Sequence, residues 1–316
     1  MEWVTGDDSS DRPELLVLRA LKLGDLLVAV PAIHGLRRTF PGHRLVLAVP
    51  GWLSPVVELV GGVDALLPTP GLDDPLPLAP GRIDIAVNMH GNGPESRGLI
   101  DALGARVTMA HGGAGPEWVD GILERRRWVR LVEAFGVAAD PKDVAIRVPD
   151  AAPAIAGATV IHVGAFYGSR RWPVERFSTV AAALAAAGHR VVFTGSGQER
   201  DRALEVARGA GLGEEGVLAG RLDLAEFAAV VAAARVVVSA DTGAAHLASA
   251  YRIPSAILFG PAPPEEWGPP SDGPHIVLTD PARRLGETFA DEPDPALLAV
   301  SAEDVLAAVH AVLTGR

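Results

Sequence analysis

The 316-residue chain reads as a doubly wound α/β protein in two halves, and three observations predict this. Short β-branched apolar runs alternate with helix-period patterns, the alternation happens twice, and a stretch rich in Pro, Asp and Ala from 138 to 158 lies between the two series. Two Rossmann-like domains, 1–150 and 151–316, are therefore expected to face each other across a cleft. No sequence repeat relates them, so the duplication rests on pattern alone.

In the first series, strands are expected at 15–19, 44–49, 83–89 and 105–110, and helices at 26–39, 54–59, 95–103 and 117–135. In the helix over 117–135, Trp118, Ile122, Leu131 and Phe135 supply an apolar stripe, and Arg125, Arg126, Arg127 and Arg130 read as its solvated face. The second series predicts strands at 159–164, 190–194, 216–218, 235–239, 255–259 and 275–278. Pro173 suits a first helical position, and Asp223 with Glu226 forms a capping-box pattern. A second such box, Ser301 to Asp304, opens a final helix over about 301–313, which is expected to pack back on the first domain.

Composition narrows the function. A formal net charge of −11 argues against a nucleic-acid partner, whose phosphates need clustered Lys and Arg. The chain has no cysteine, so disulfides and thiolate metal sites are excluded. Lys22 and Lys142 are the only lysines, and abundant Ala, Gly, Pro and Arg point to a GC-rich genome. The acidic, polar opening MEWVTGDDSSDRPEL is unlike a signal peptide, and no apolar run is long enough to span a bilayer; a cytoplasmic location is expected. Peripheral membrane contact remains open through Trp52, Leu53 and Pro55.

The segment RVVVSADTGAAHLASAY (235–251) carries the most chemistry. A strand runs straight into a helix start, where unpaired N–H groups and the helix dipole favour an anion and Gly243 permits close approach. Asp241 and His246 flank that spot; the same residues also suit a plain N-cap and a packed helix histidine. After the first strand, Gly24 allows a tight turn and Asp25 stands at a helix start. There Asp25 is either a cap or, beside an acceptor hydroxyl, a general base. No G-x-G-x-x-G follows that strand, which disfavours a dehydrogenase.

Three segments together resemble one family. LKLGDLLVAVPAIHGLRRTFP is similar to the "GD…P" start of glycosyltransferase family 9, the ADP-heptose heptosyltransferases. SADTGAAHLASA is similar to that family's D-T-G-x-x-H-L signature, and GAFYGSRRWPVERF to its basic-x-W-P segment. The resemblance covers nearly the whole chain in order. It implies a GT-B fold and a metal-independent, inverting transferase that moves a heptose from ADP-heptose to an acceptor, with no cofactor. Asp25 matches the proposed general base. The backbone N–H groups of Thr242, Gly243 and Ala244, with Arg171 at the basic position, would receive the diphosphate, helped by Ser169 and His246. Asp241 would orient the loop or a sugar hydroxyl.

Gln198, Glu199 and Leu222 are the candidates for the nucleoside, with Glu199 equally suited to a helix-start acid. The acceptor region would include Lys22, Gly24, Asn88, His90, Asn92, Phe166 and Tyr167. Phe166 and Tyr167 replace small hydroxyl residues common in the family, which opens the acceptor question: a saccharide, a lipid-linked molecule or a soluble small molecule. Trp172 is read as core packing and His162 as structural; the remaining histidines lack metal-ligand spacing, so no metal is expected. A GT-B-like nucleotide-sugar epimerase and a non-catalytic nucleotide-sugar-binding homologue are the alternatives.

Overall fold

A computed structural model describes residues 1–5 and 10–315. The chain divides into two compact units, Met1–Arg147 and Val148–Arg316. In the first, strands β1 (Glu2–Trp3), β2 (Glu14–Leu18), β3 (Arg44–Val49), β4 (Ala65–Pro68), β5 (Ile83–Asn88) and β6 (Val107–Met109) form one sheet. Its order is β1-β4-β3-β2-β5-β6, with every neighbouring pair parallel. The connecting helices are α1 (Leu23–Thr39), α2 (Ser54–Val60), α3 (Pro94–Ala102) and α4 (Glu124–Glu133). Strands β2 and β3 are buried along their whole length, which is why they read as unbroken apolar runs. The winding reverses between β2 and β5, so the loops after those two strands diverge at a topological switch point.

The second unit has strands β7 (Thr159–His162), β8 (Val191–Thr194), β9 (Val236–Ala240), β10 (Ser255–Leu258) and β11 (His275–Leu278). All pairs are parallel in the order β11-β10-β9-β7-β8, which puts the switch point between β7 and β9. Its helices are α5 (Val174–Ala186), α6 (Arg200–Gly209), α7 (Leu224–Ala232), α8 (Gly243–Ala250), α9 (Pro264–Trp267), α10 (Pro295–Leu298) and α11 (Ala302–Thr314). Among the described residues no helix is long and apolar enough to cross a membrane.

Several expectations are corrected. The strand expected at 216–218 is a 3-10 turn followed by a single bridge from Val217 to Phe193, because the run is too short to sustain a ladder. The helix expected from 117 begins only at Glu124. Gly121 takes φ +69°, the Val119 carbonyl accepts from Arg127, and the Trp118 indole N–H donates to Asp120 at 2.9 Å. Nor is the arginine face wholly solvated. Arg125 and Arg127 are buried; Arg127 pairs with Glu124 at 2.6 Å and lies 4.0 Å over the Trp118 ring.

Within the expected linker, residues up to Ile146 pack on the first unit. Val144 and Ile146 are buried, and the Arg147 N–H donates to the Leu59 carbonyl at 2.8 Å. The final helix α11 begins as expected, with Ser301 and Asp304 exchanging hydrogen bonds of 2.9 and 3.1 Å. Val305, Ala308 and Val309 join Trp172, Phe177 and Leu258 in the core of the second unit. Sequence periodicity shows that a helix has an apolar face but not which surface receives it.

A buried ion triad closes the amino edge of the first sheet. Glu14, 3% exposed, receives Arg44 at 2.7 Å and Arg82 at 2.7 Å, in a register that places Glu14 opposite Arg44. Burial alone would raise the Glu14 pKa, but the hydrogen bonds and charges of Arg82 and Arg44 outweigh it and hold the carboxyl below its ordinary value. Removing the charge takes the buried carboxylate from both guanidinium groups and leaves Arg44 only the exposed Glu2, so Glu14→Gln is expected to lower unfolding stability by about 3 kcal/mol in urea titrations. Because the folded pKa is depressed, the contribution is complete above the unfolded pKa and is lost as pH falls through the folded value. A variant with unchanged stability and unchanged acid sensitivity would refute the assignment.

Candidate functional site

At the first switch point the two diverging loops are tied together. Leu18 ends β2 opposite Asn88, and the Met89 N–H donates to the Leu18 carbonyl at 3.1 Å. Arg19, 2% exposed, then donates through Nη1 to the Met89 carbonyl, through Nε to the Asp25 carbonyl at 2.9 Å, and pairs through Nη2 with Asp25 Oδ1 at 3.4 Å. Its guanidinium lies 4.6 Å over the Trp128 ring. Burial lowers the Arg19 pKa from its ordinary value, while Asp25 and Glu124 oppose the shift.

Asp25 is the third residue of α1, and its Oδ2 accepts the Lys22 N–H at 3.3 Å. The carboxylate thus caps the helix from within while remaining 25% exposed, available to a second donor. Gly24 is half-buried beside it, and Lys22 is exposed.

His90 follows β5, and its backbone N–H is held by Asn88 Oδ1 at 3.1 Å. Its ring Nδ1 is buried with no hydrogen-bond partner among the described residues. Burial, then Arg19, pushes its pKa down, with Asp25 opposing, which favours the neutral ring. Asn88 is itself buried and uses the other end of its amide on Ser96 Oγ at 3.1 Å. Asn92 accepts from Arg97, which also donates to the His111 carbonyl. Asn88 therefore shapes this loop from inside, and Asn92 from its half-exposed surface.

The second switch point gathers the residues expected to meet an anion. Asp241 follows β9, with Thr242 as the N-cap of α8 and its hydroxyl 2.9 Å from Ser239 Oγ. The N–H groups of Ala245 and His246 bond back to the Thr242 carbonyl, at 3.0 and 3.3 Å. Those of Gly243 and Ala244 precede the first intrahelical bond and stay available. The Asp241 carboxylate, 3% exposed, meets Arg170 at 3.1 Å through Oδ2 and His246 Nε2 at 3.6 Å through Oδ1. Arg170 also donates to the Asp241 carbonyl at 3.2 Å, and its Nε is buried with no partner among the described residues.

Arg171, by contrast, is exposed and donates through Nε to the Ala165 carbonyl at 3.1 Å. The Ser169 hydroxyl donates to the Thr288 carbonyl at 2.6 Å, so its proton is already in use. Phe166 and Tyr167 meet edge to face. Trp172 is fully buried against Phe177, as core packing requires.

Beyond β8, the Ser196 N–H donates to Glu199 Oε2 at 2.7 Å, while a side chain at Gly164 would collide with that carboxylate. Glu199 thus caps its turn and lies against the loop after β7. Gly220, at φ +71°, packs on the Gly197 backbone and brings the loop of Leu222 to that of Gln198. Among the described residues no three His, Asp or Glu side chains come together to hold a metal ion.

Sequence reasoning missed Arg19 and Arg170. The signal for Arg170 was present: counted back from Trp172-Pro173, it occupies the basic place of basic-x-W-P and Arg171 the variable one. For Arg19 the only signal was a cation ending an apolar strand.

The two parallel-sheet units define a GT-B α/β protein, and solved structures share the fold. The glycosyl transferase family 9 structure from Veillonella parvula superposes with a TM-score of 0.76 at 18% identity, covering 99% of this chain and 100% of that one. The E. coli heptosyltransferase WaaC with ADP superposes at 0.72 with 19% identity, covering 95% and 99%. The family model described as "Glycosyltransferase family 9 (heptosyltransferase)" matches residues 127–286, half of the sequence, and the chain belongs to that family. A curated relative, lipopolysaccharide heptosyltransferase 1 of Pseudomonas aeruginosa, is 38% identical over 119 residues, 37% of this chain. The aligned part spans only 32% of that relative's length.

His162, at the end of β7, shares a 3.0 Å hydrogen bond with Thr194 Oγ1 and lies against the Phe227 ring. Burial, opposed by Glu199, lowers its pKa to about 4. Imidazole NMR should therefore find it neutral at pH 5.5. The unfolded chain binds this proton more readily, so His162 adds to the loss of stability as pH drops below about 6.5. A midpoint near 6.5 in the folded protein would contradict the buried placement.

Proposed function

We propose that this chain is an inverting glycosyltransferase that moves a heptose from ADP-heptose to an acceptor hydroxyl without a metal. The observation that carries the reading is the buried Asp241 carboxylate, which holds Arg170 and His246 beside the open N–H groups at the start of α8. Family membership supports it, as does the fold shared with a heptosyltransferase solved with ADP.

In this reaction the acceptor oxygen forms a bond to the anomeric carbon as the bond to the diphosphate oxygen breaks. The acceptor proton passes to the Asp25 carboxylate, aligned by Arg19 and the Lys22 N–H. The electron pair leaves on the diphosphate. Its charge is met by Arg170 and by the N–H groups of Gly243 and Ala244, donors fixed before the reaction begins, so no general acid is required. Asp241 fixes the orientation of Arg170 and His246 and does not itself face the phosphates, which it would repel. Glu199, Gln198 and Leu222 at the neighbouring strand end are assigned to the nucleoside, with Glu199 accepting from ribose hydroxyls. The acceptor is a saccharide, lipid-linked or free.

Calorimetry with ADP, UDP, GDP and dTDP, without added metal, tests the donor. ADP is expected to bind preferentially, and Arg170→Ala to weaken it by about 2 kcal/mol, about thirtyfold in Kd. Arg171→Ala is expected to have a smaller effect, and the reverse order would transfer the role to Arg171. Absence of binding by all four nucleotides would defeat the assignment.

For the reaction itself, Asp25→Asn should leave ADP binding intact and lower kcat by about 10²- to 10⁴-fold. Wild-type turnover in that variant would remove Asp25 as the base. Product formed without an acceptor would indicate an epimerase, and nucleotide binding without any turnover a non-catalytic homologue.

A further inference from the structure

On the second sheet, polarity begins abruptly at the carboxyl edge. Val192, Val160 and Val237 are register partners on three adjacent strands, all buried, and one pleat repeat further on the same row becomes Thr194, His162 and Ser239. The residues between, Phe193, Ile161 and Val238, belong to the core on the opposite side of the sheet with Trp172 and Phe177. An apolar row would pack at this edge as well, whereas each polar group there has to be matched by a partner.

The hydrogen bonds fix where the protons lie. Ser239 Oγ donates to the Ala240 carbonyl at 2.7 Å and lies 2.9 Å from Thr242 Oγ1, so these two hydroxyls serve the turn into α8. The Thr194 hydroxyl, on a residue 1% exposed, has its one hydrogen bond among the described residues with His162 Nδ1, at 3.0 Å. Its O–H therefore donates to Nδ1, and the neutral imidazole carries its own proton on Nε2. No hydrogen bond among the described residues reaches that Nε2–H, and His162 is half-buried between the fully buried Ile161 and Val163.

Two neighbours border the ring. Phe227 supports it with ring centroids 5.5 Å apart and planes tilted by 37°. The Glu199 carboxylate acts on the imidazole through space and lies against Gly164, two residues further along the chain. Burial keeps the ring neutral, so it does not pair with Glu199 as an ion and leaves that carboxylate able to accept from a ligand.

We infer that His162 is a specificity-determining residue for the ribose of the donor nucleotide, its Nε2–H donating to the oxygen of a ribose hydroxyl whose own proton goes to Glu199. A hydroxyl both donates and accepts, so a carboxylate satisfies only half of it and a neutral N–H supplies the other half. The inference rests on the donor reading above, in which the nucleoside lies at Glu199.

Calorimetry with ADP, 2′-deoxy-ADP and 3′-deoxy-ADP on wild type, His162→Phe and His162→Gln tests this. Loss of the contacted hydroxyl should weaken wild-type binding about tenfold. His162→Phe should weaken ADP about fivefold and leave the analogue that lacks this hydroxyl bound as in wild type, because the two changes remove one interaction. His162→Gln keeps an N–H donor and should bind ADP within about twofold of wild type. In wild-type imidazole NMR, ADP should shift the His162 Nε2 resonance more than that analogue does, a readout that holds whether or not His162→Phe folds. Equal weakening of ADP and both deoxy analogues by His162→Phe would overturn the inference and reduce the imidazole to a support for Thr194. Unchanged ADP affinity in His162→Phe, or an imidazole protonated on Nδ1 in the ADP-bound protein, would overturn it as well. Any of these results beside normal wild-type ADP binding defeats this inference alone; no ADP binding by wild type defeats the donor assignment and the inference with it.

Discussion

In a sheet whose strands all run one way, every carboxyl end lies on the same edge, and each chain must cross a helix to return. That constraint organises both units of this protein. In each, the order of strands reverses once, between β2 and β5 and between β7 and β9, and the loops on either side of the reversal part to leave room above the sheet. Asp25, Arg19 and His90 lie at the first reversal, and Arg170, Asp241 and His246 at the second. Charged and polar side chains collect there because those positions combine strand ends with helix starts.

Buried charge defines both places. Arg19 and Asp241 are each removed from solvent, and a lone buried charge is costly, so each recruits partners that also fix neighbouring groups. Arg19 binds two carbonyls and one carboxylate, and so holds two loops and the orientation of Asp25 together. Asp241 plays the inverse part in the second unit, where an anion secures the cation and the imidazole that border the helix start. In both cases the partner is more exposed than the buried charge that holds it.

Much of the fold was legible in the order of residues. Long apolar runs such as those of β2 and β3, the capping boxes at Asp223 and Ser301, and the strand-to-helix step at Asp241 all depend on neighbours within a few positions. Short elements were less so. β4, four residues long, carries too little pattern to distinguish it from a loop, and 216–218 carries strand composition without a partner long enough to pair with. Ser169 looked like a phosphate ligand because a hydroxyl beside a basic motif is the usual arrangement. A carbonyl 119 positions away takes its proton instead, which local pattern has no means to show.

The sequence by itself determined the two parallel-sheet halves and the helix starts that carry Asp25 and follow Asp241, because these follow from periodicity, capping and short motifs. Only the tertiary structure decided which arginine meets Asp241, that Arg19 lies beneath Asp25, and that α11 packs within its own unit. The reason is physical. Adjacent arginines differ in direction only through backbone torsion, and an ion pair or an apolar face is completed by a partner distant in the chain, whose arrival depends on the packing of every element between them.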